Sequence, residues 1–306
     1  MFEVYKKTKN YRPISIFGIN DERKVTSSLL GVIRKERGGV FKTFTSWSLI
    51  IGGPLFIKPN DGNIVLKGYE RKISGDVIYT EIRTLDPKFP DLQFFKDLSF
   101  DVNEHLNIFI DLTKPPEQLW SDLSKKRRNG VRRAERKGLN VIEIESLSGV
   151  KEMYKVLKDT YSRANVPLSN ISLFTSAFKV LHPKGMIKIF GAIYKDEIIG
   201  CIILLTYKNR VIDWYAGSLR DYLSLCPNDL LTWYAIKWGS ENGFKVFDFG
   251  GAGKPNEPYG VREFKKQFGG VMLRCDRYRK IYSRTKMKVA TIGLRIYKKI
   301  KPVSMG

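Results

Sequence analysis

The segment from Phe247 to Gly270, FDFGGAGKPNEPYGVREFKKQFGG, brings together residues that can promote a reaction without a histidine or a metal. Its glycines let a backbone come close to a ligand. An amine that attacks an ester must be held near the carbonyl, with a hydrogen-bond donor near the developing oxyanion. We therefore predict a site that works by positioning and by cations, with Lys265 as the donor and Asp248 orienting an amine or capping the loop.

The pattern around this segment predicts an α/β (α+β) fold with mostly antiparallel, mixed sheets. From residue 141 onwards it reads as a strand, two helices, three strands joined at KDE and KNR, a helix, a strand, a short helix and a strand. Alternating apolar and β-branched residues mark the strands. A dinucleotide-binding fold would alternate strands and helices strictly. In this arrangement Asp248 lies at the end of a strand and Lys265 lies on the short helix.

Two further segments are predicted to be helical. VTSSLLGVIRKERGG indicates an amphipathic helix that Gly38 and Gly39 close. TKPPEQLWSDLSKKRRNGVRRAERKG predicts one helix from the N-cap Thr113 to Gly138, with eight cations between Lys125 and Lys137. That basic face is either an ordinary solvated surface or an anion site, and like charges four residues apart favour the second because they destabilise a free helix.

The charge of the chain predicts a polyanionic partner. Its 306 residues include 54 Lys and Arg against 31 Asp and Glu, a net charge of +23. Residues 121–140 carry a net charge of +6 (8 − 2) and residues 262–301 carry +12 (14 − 2). Solubility alone does not require such clustering, so we expect an anion site for nucleic acid, a phosphorylated substrate or an acidic membrane surface.

The remaining composition bears on compartment and metals. The three cysteines are far apart in the sequence and fit neither a metal site nor a disulfide framework. The first residues, MFEVYKKTKN, show no apolar signal-peptide core. His105 and His182 stand in no metal-binding spacing. We expect a cytoplasmic monomer, in some settings peripheral to a membrane, with no metal and no bound cofactor.

Four stretches together resemble the Fem-type peptidoglycan interpeptide-bridge aminoacyltransferases and their acetyltransferase-like (GNAT-like) relatives. They are PNDLLTWYAIKWGSENGFKVFDFGGAGKPNEPYGVREFKKQFGG, LWSDLSKKRRNGVRRAERKGLNV, TYSRANVPLS and DWYAGS. The resemblance covers about residues 105–280 well and the N-terminal third only through its Gly-Gly-Pro turn. The pattern is specific for the family and much less so for the substrate.

The resemblance implies two tandem GNAT-like domains. The first would span residues 1–139 and be completed by a C-terminal helix over 284–306, and the second would span residues 140–283 and carry the donor site. Val289, Ile292, Ile296 and Ile300 form a helical stripe that we expect to pack on the first domain, with docking on an anionic membrane as the alternative.

The function that the resemblance implies is transfer of an amino acid from aminoacyl-tRNA to an amine of a cell-wall (peptidoglycan-type) precursor. One alternative is an acyl-CoA-dependent N-acyltransferase of the same fold that acts on an envelope or polysaccharide substrate. Another is a non-catalytic nucleic-acid-binding protein. The loop that binds acyl-CoA in acetyltransferases has the pattern R/Q-x-x-G-x-G/A. Residues Arg127–Arg132 match this pattern except at the last position, and they lie in a helix-like segment rather than after a strand. This mismatch favours tRNA as the donor.

The resemblance and the clustered cations together predict roles for individual residues. Lys265 and Asp248 would be catalytic. Substrate would be bound by Arg163, Tyr215, Gly250 and Gly251, and tRNA or another anion by Arg128, Arg132, Arg136, Arg262 and Lys266. Arg163 has an alternative role as a helix C-terminal charge, and Tyr215 as a packed ring with a solvated hydroxyl. We expect folding to depend on neither Lys265 nor Lys266, as for other exposed lysines.

Overall fold

The structure is a computed structural model that describes residues 1–35, 46–89 and 92–300. The chain divides into two compact units. The first consists of residues 2–6, 10–104 and 275–306, and the second of residues 1, 7–9 and 105–274. None of the helices in the described ranges combines the length and the apolar character that crossing a bilayer requires.

Helices and strands are numbered along the chain. The strands are β1 Tyr11–Ile19, β2 Val25–Lys35, β3 Ser46–Ile51, β4 Leu55–Phe56, β5 Tyr79–Arg83, β6 Asp101–Asn103, β7 Leu106–Asp111, β8 Asn140–Glu143, β9 Ile187–Tyr194, β10 Glu197–Tyr207, β11 Arg210–Ser218, β12 Val246–Gly251, β13 Val271–Arg274 and β14 Arg277–Ile281. The helices are α1 Phe2–Lys6, α2 Pro59–Ile73, α3 Leu92–Asp97, α4 Pro116–Asp122, α5 Lys125–Arg136, α6 Leu147–Arg163, α7 Ile171–Leu181, α8 Pro227–Glu241, α9 Gly260–Lys266 and α10 Arg284–Ile300.

The first unit contains a mixed sheet in the order β1-β2-β3-β5-β14-β6, with β4 paired to β2. Within this sheet β3 and β5 are parallel, and the other pairs are antiparallel. The helix α2 packs its apolar side into the unit's core, where Leu66, Tyr69 and Ile73 are buried. The Tyr69 hydroxyl is 2.7 Å from the Ser48 hydroxyl of β3, so this buried polar group has a partner.

The second unit contains a sheet in the order β13-β7-β12-β11-β10-β9-β8. Its pairs are antiparallel except for β11 and β12, which are parallel. The predicted element order from residue 141 is confirmed, including the tight turns between β9, β10 and β11. At the first turn Lys195 and Asp196 both have positive φ, which the mirror-image turns of β-hairpins require.

The helix predicted for VTSSLLGVIRKERGG is wrong, because most of this segment forms the strand β2. It pairs with β1 on one side and β3 on the other, and Leu29 and Ile33 are buried in the core. Its Val, Thr and Ile residues favour strands, and the pairing on both sides outweighs the weak helical spacing. Gly38 and Gly39 lie outside the described residues.

The basic segment forms two helices rather than the single predicted one. The break falls at Leu123, which has an extended backbone, and Ser124 then caps α5 by accepting a hydrogen bond from the Arg127 N–H at 3.3 Å. The N-cap of α4 is Pro115 rather than Thr113, whose amide instead donates to Asp111. The serine offers the backbone a cap within the basic run, which is why one helix does not continue.

The unit boundaries differ from the predicted residues 139 and 283. The strand β7 pairs with both β12 and β13, so residues 105–139 fold with the second unit. The strand β14 pairs with β5 and β6, so the chain returns to the first unit at Cys275. Periodicity marks each strand but not its partner, and the partner decides the boundary.

The C-terminal helix α10 belongs to the first compact unit, and the two residues of its predicted apolar stripe that can be assessed are exposed. In α10 the exposed fractions of Val289 and Ile292 are 48% and 55%. Ile296 and Ile300 lie outside the residues whose side chains the structure describes. The apolar spacing predicted a helix correctly but did not show whether its face is covered.

The helices α5 and α8 are joined by a buried ion pair. The guanidinium of Arg127 lies 2.9 Å from the Asp229 carboxylate and 4.8 Å from the centre of the Phe264 ring. Gly130 allows this close approach, because a Cβ there would lie 2.4 Å from the Asp229 Oδ1. Burial raises the pKa of Asp229, and the charge of Arg127 opposes that rise. One of the eight predicted surface cations is therefore internal.

Replacing Arg127 with alanine should lower the free energy of unfolding by about 3 kcal/mol or more, because the Asp229 charge would stay buried without its partner. The control is Lys237→Ala, which removes one half of the exposed pair between Lys237 and Glu241 at 3.7 Å. That pair should contribute under about 1 kcal/mol. Urea denaturation of both variants measures the difference, and equal losses would contradict the buried-pair argument.

Candidate active site

The candidate site lies where the parallel strands β11 and β12 stop pairing. Their register runs from Arg210 opposite Val246 to Ile212 opposite Asp248 and ends there. Beyond that point β11 continues against β10, with an irregularity beside Asp213, while β12 continues against β7. Because β11 and β12 pair with each other only at their first residues, they leave backbone groups and side chains unpaired between them beyond that point.

Lys265 anchors the end of β12. Its ammonium donates to the Phe249 carbonyl at 2.6 Å and to the Gly251 carbonyl at 3.0 Å. Burial lowers the pKa of Lys265, and the carboxylates of Asp213 and Asp248 oppose that effect. An ammonium has three N–H donors, and these two carbonyls use two of them. The side chain is thus half-buried and bonded rather than exposed, which corrects the sequence expectation.

Two carboxylates share the surroundings of this ammonium. Burial raises the pKa of Asp213 to about 6, with Lys265 lowering it and Asp248 raising it. Asp248 is fully buried, and its Oδ1 accepts from the Gly250 N–H at 2.8 Å and from the Asn107 amide at 3.4 Å. Burial also raises the pKa of Asp248. Burial therefore raises the pKa of both carboxyl groups, and the Lys265 charge that they share opposes the rise in each.

The second oxygen of Asp248 is an unusual buried group. Within the described part of the chain it accepts no hydrogen bond, and the Arg210 guanidinium is 3.8 Å away. The first oxygen stabilises the backbone turn at Gly250, whose φ of +66° favours glycine. Asp248 therefore holds the loop in place, which matches the predicted capping role more closely than the orientation of an amine.

Arg262 supports the Gly-rich loop, residues 252–259 between β12 and α9, by hydrogen bonds to its backbone. It is buried, and its guanidinium donates to the carbonyls of Ala252, Lys254 and Glu257. These carbonyls compete for the donors that a phosphate would need. The structure therefore gives Arg262 a structural role instead of the predicted role in binding tRNA or another anion.

The predicted substrate residues lie on neighbouring elements of the second unit. Arg163, at the end of α6, pairs with Asp159 at 3.0 Å and donates to the Ser218 carbonyl at 3.1 Å. The Tyr215 hydroxyl is 3.1 Å from the Ser169 hydroxyl, and its ring packs edge-on against Phe174 with centroids 4.8 Å apart. Both residues make the contacts of their alternative roles, a helix-end charge and a packed ring.

The predicted anion-binding cations differ in availability. Arg132 and Arg136 are exposed on α5, and Lys266 is exposed on α9. The guanidinium of Arg128 is half-buried and donates to the carbonyls of Ser121 and Leu123. On α5, Arg132 and Arg136 are therefore available to bind an anion. Arg128 instead hydrogen-bonds the backbone at the junction between α4 and α5.

The sequence argument missed Asp213. The signal was present, because Asp213 stands between the apolar residues Ile212 and Trp214 in the middle of the predicted strand RVIDWYAGS, where an acid is unusual. The same argument placed the near match to an acyl-CoA loop at Arg127–Arg132, and this segment lies inside α5. Residues 219–226, which join β11 to α8, contain no glycine and cannot supply the R/Q-x-x-G-x-G/A pattern.

A separate group of potential metal ligands lies away from this site. Ligand atoms of Glu143, Glu145 and His182 lie within 4.8 Å of one another. The Lys188 ammonium already pairs with Glu143 at 2.6 Å. The histidine ring stacks on Phe178 with centroids 4.5 Å apart, which supports an ordinary structural role.

Comparisons with known proteins identify the fold. The family model described as "Acetyltransferase (GNAT) domain" matches residues 125–266. This match lies within the second unit. A search of curated proteins gives no match. The GNAT domain contains Lys265, Asp213 and Asp248, and it ends within α9.

Solved structures extend the likeness to both units. A crystal structure of FemX aligns with a TM-score of 0.68 at 16% identity, covering 94% of this chain and 92% of that one. L-PGS from Bacillus licheniformis gives 0.59 at 13% identity, covering 98% and 92%. A tandem GNAT protein from the clavulanic acid biosynthesis pathway gives 0.55 at 9% identity, covering 90% and 85%.

The fold is therefore the predicted one, two tandem GNAT-like domains, and the match to the GNAT model supports an acyltransferase. The alternative of a non-catalytic nucleic-acid-binding protein is wrong, because the matched GNAT domain is an acyltransferase domain. The comparisons leave the donor, the acceptor and the catalytic residues to be inferred from the geometry of the GNAT domain.

Lys265→Met should lower turnover about a hundredfold or more if its ammonium meets the developing oxyanion. It should also lower the free energy of unfolding by about 1–3 kcal/mol, because two carbonyls lose their donor. Lys266→Met removes the same charge from an exposed neighbour and should change neither quantity by much. Acyl-transfer rates and thermal unfolding of the two variants provide the test. A wild-type rate and stability for Lys265→Met would contradict both roles.

Proposed function

We propose that the protein transfers an aminoacyl group from aminoacyl-tRNA to an amine of a cell-wall (peptidoglycan-type) precursor. The observation that carries this proposal is the half-buried Lys265 ammonium, bonded to two carbonyls and flanked by Asp213 and Asp248 where β11 and β12 diverge. This arrangement offers one N–H donor and a carboxyl group that can take a proton, which are the two functions that aminolysis of an ester needs.

The reaction uses these groups in a defined order. The acceptor amine attacks the ester carbonyl, and a C–N bond forms while negative charge develops on the carbonyl oxygen. Lys265 donates to that oxygen, and the Asp213 carboxylate takes the proton that the amine loses. The C–O bond to the terminal ribose of tRNA then breaks, and the ribose oxygen leaves with the electron pair and takes up a proton.

The pKa of Asp213 suits this role. A base works best when its pKa lies near the working pH, and burial raises the pKa of Asp213 to about 6. At neutral pH the carboxylate form predominates and can accept a proton. The proton it holds afterwards can pass to the leaving ribose oxygen.

A tRNA donor is supported by the exposed basic face of α5. Six cations of this helix and its C-cap lie on the surface: Lys125, Lys126, Arg132, Arg133, Arg136 and Lys137. The apolar stripe of α5 is buried, with Val131 and Ala134 fully covered. Cations without exposed apolar surface suit a phosphate backbone. A similar solved structure, at 12% identity and a TM-score of 0.59, is described as the C-terminal domain of a putative lysylphosphatidylglycerol synthetase from Agrobacterium fabrum, and that name agrees with an aminoacyl group and an envelope acceptor.

A second candidate is an N-acyltransferase that uses acyl-CoA and acts on an envelope or polysaccharide substrate. The match to an acetyltransferase domain favours it. The connection from β11 to α8 disfavours it, because residues 219–226 contain no glycine and the first turn of α8 carries Asp229. A carboxylate in that turn opposes a pyrophosphate, although Arg127 offsets its charge.

The test compares donors directly. The purified chain is incubated with radiolabelled aminoacyl-tRNA pools or with acyl-CoAs, in the presence of a peptidoglycan-type precursor. We expect label to move from tRNA to the precursor and acyl-CoA to be left intact. Transfer from acyl-CoA alone would support the second candidate instead.

Charge reversal on α5 tests whether this helix binds the tRNA donor. Arg132→Glu with Arg136→Glu should raise the KM for aminoacyl-tRNA about tenfold and reduce its log–log salt slope by about 0.9 for each phosphate that is no longer neutralised. The control is Lys151→Glu with Lys155→Glu, which reverses two charges at the same spacing on α6. It should leave the KM for aminoacyl-tRNA and the salt slope unchanged. Equal effects from the two double variants would mean that net charge rather than α5 binds the donor.

A further inference from the structure

The helix α10 exposes an apolar face that no described residue covers. Val289 and Ile292 are three positions apart, so they lie on the same side of the helix. Their exposed fractions are 48% and 55%. Single exposed apolar residues are common on protein surfaces. Two large ones side by side on one helix mark a face that another surface can bury.

All the charged side chains of α10 are positive. The seventeen residues of the helix contain six Lys or Arg and no Asp or Glu. Arg284 and Lys288 are exposed and lie four positions apart, so their like charges repel along the helix. Lys288 lies directly before Val289 and four residues before Ile292, so the cations border the apolar face. A partner for this helix must therefore be negatively charged and apolar at once.

We propose that α10 docks on an anionic phospholipid surface, lying parallel to the membrane with Val289 and Ile292 turned towards the acyl chains. An amphipathic helix of this kind buries its apolar side at the boundary between headgroups and acyl chains. Its lysines and arginines meet the lipid phosphates, and each contributes a favourable interaction with an acidic leaflet. Such binding is reversible and does not require a helix that crosses the bilayer.

The contrast with α5 separates a lipid partner from nucleic acid. Both helices are rich in cations, but the apolar residues Val131 and Ala134 of α5 are fully buried in the core. Nucleic-acid phosphates can satisfy the cations of α10 but offer Val289 and Ile292 nothing to bury against. The exposed apolar face is the feature that assigns α10 to a lipid surface.

The experiment measures co-sedimentation of the full chain with vesicles. Phosphatidylcholine vesicles are compared with vesicles that contain phosphatidylglycerol as well, at low and at high salt. We expect binding to the anionic vesicles at low salt, weaker binding at high salt and little binding to phosphatidylcholine alone. Absence of binding to anionic vesicles at low salt would overturn the proposal.

A matched pair of variants separates docking by α10 from general attraction of a basic protein. Ile292→Ser should weaken binding to anionic vesicles about five- to tenfold, since burial of an apolar side chain is lost. Ile64→Ser is the control, because Ile64 on α2 has a similar exposed fraction, 53%. Arg284→Glu with Lys288→Glu should weaken binding by about tenfold or more.

The other outcomes each overturn the proposal. Equal binding of the Ile292 and Ile64 variants would show attraction by net charge alone. An equal loss of tRNA affinity in Ile292→Ser would assign α10 to nucleic acid. Circular dichroism at the assay temperature checks that each variant is folded, and acyl transfer to a soluble acceptor should stay at the wild-type rate because α10 belongs to the first unit, whereas Lys265, Asp213 and Asp248 belong to the second.

Discussion

The half-buried ammonium of Lys265 is the interaction on which the candidate site depends. Where β11 and β12 stop pairing, the carbonyls of Phe249 and Gly251 lose the partner that a continuing parallel strand would supply. Lys265 replaces that partner by donating to both. A positive charge held there by backbone geometry in turn makes Asp213 and Asp248 tolerable nearby, since either acid alone would be costly to bury.

The distribution of charge separates structural cations from available ones. Arg127 pairs with Asp229, Arg262 holds the Gly-rich loop and Arg128 closes the break after α4. The net charge of +23 therefore overstates the surface that can meet a polyanion. Two of the helices that carry available cations, α5 and α10, differ in their apolar surroundings. The exposed side of α5 carries cations together with Asn129 and Glu135 but no apolar residue, whereas α10 combines cations with uncovered apolar residues.

The sequence was sufficient for the element order of the second unit, because alternation, Gly turns and helical spacing are local signals. It also located the segment that holds Asp248 and Lys265. It failed for β2, where pairing on both sides outweighs local spacing, and for the unit boundaries, which depend on the partners of β7 and β14. For the candidate site, the sequence did not show which side chains are buried. Nothing in the order of residues shows that Arg262 points inward or that Asp213 lies near Lys265.

The most direct test of this account is an NMR titration of the Asp213 carboxyl group in the wild type and in Lys265→Met. We expect the pKa of Asp213 to be near 6 in the wild type. Because the Lys265 charge stabilises the carboxylate, its removal should raise that pKa further. Asp213→Asn identifies the resonance by its disappearance. An ordinary carboxyl pKa near 4 in the wild type, or the same pKa in both proteins, would contradict the coupling between Lys265 and Asp213.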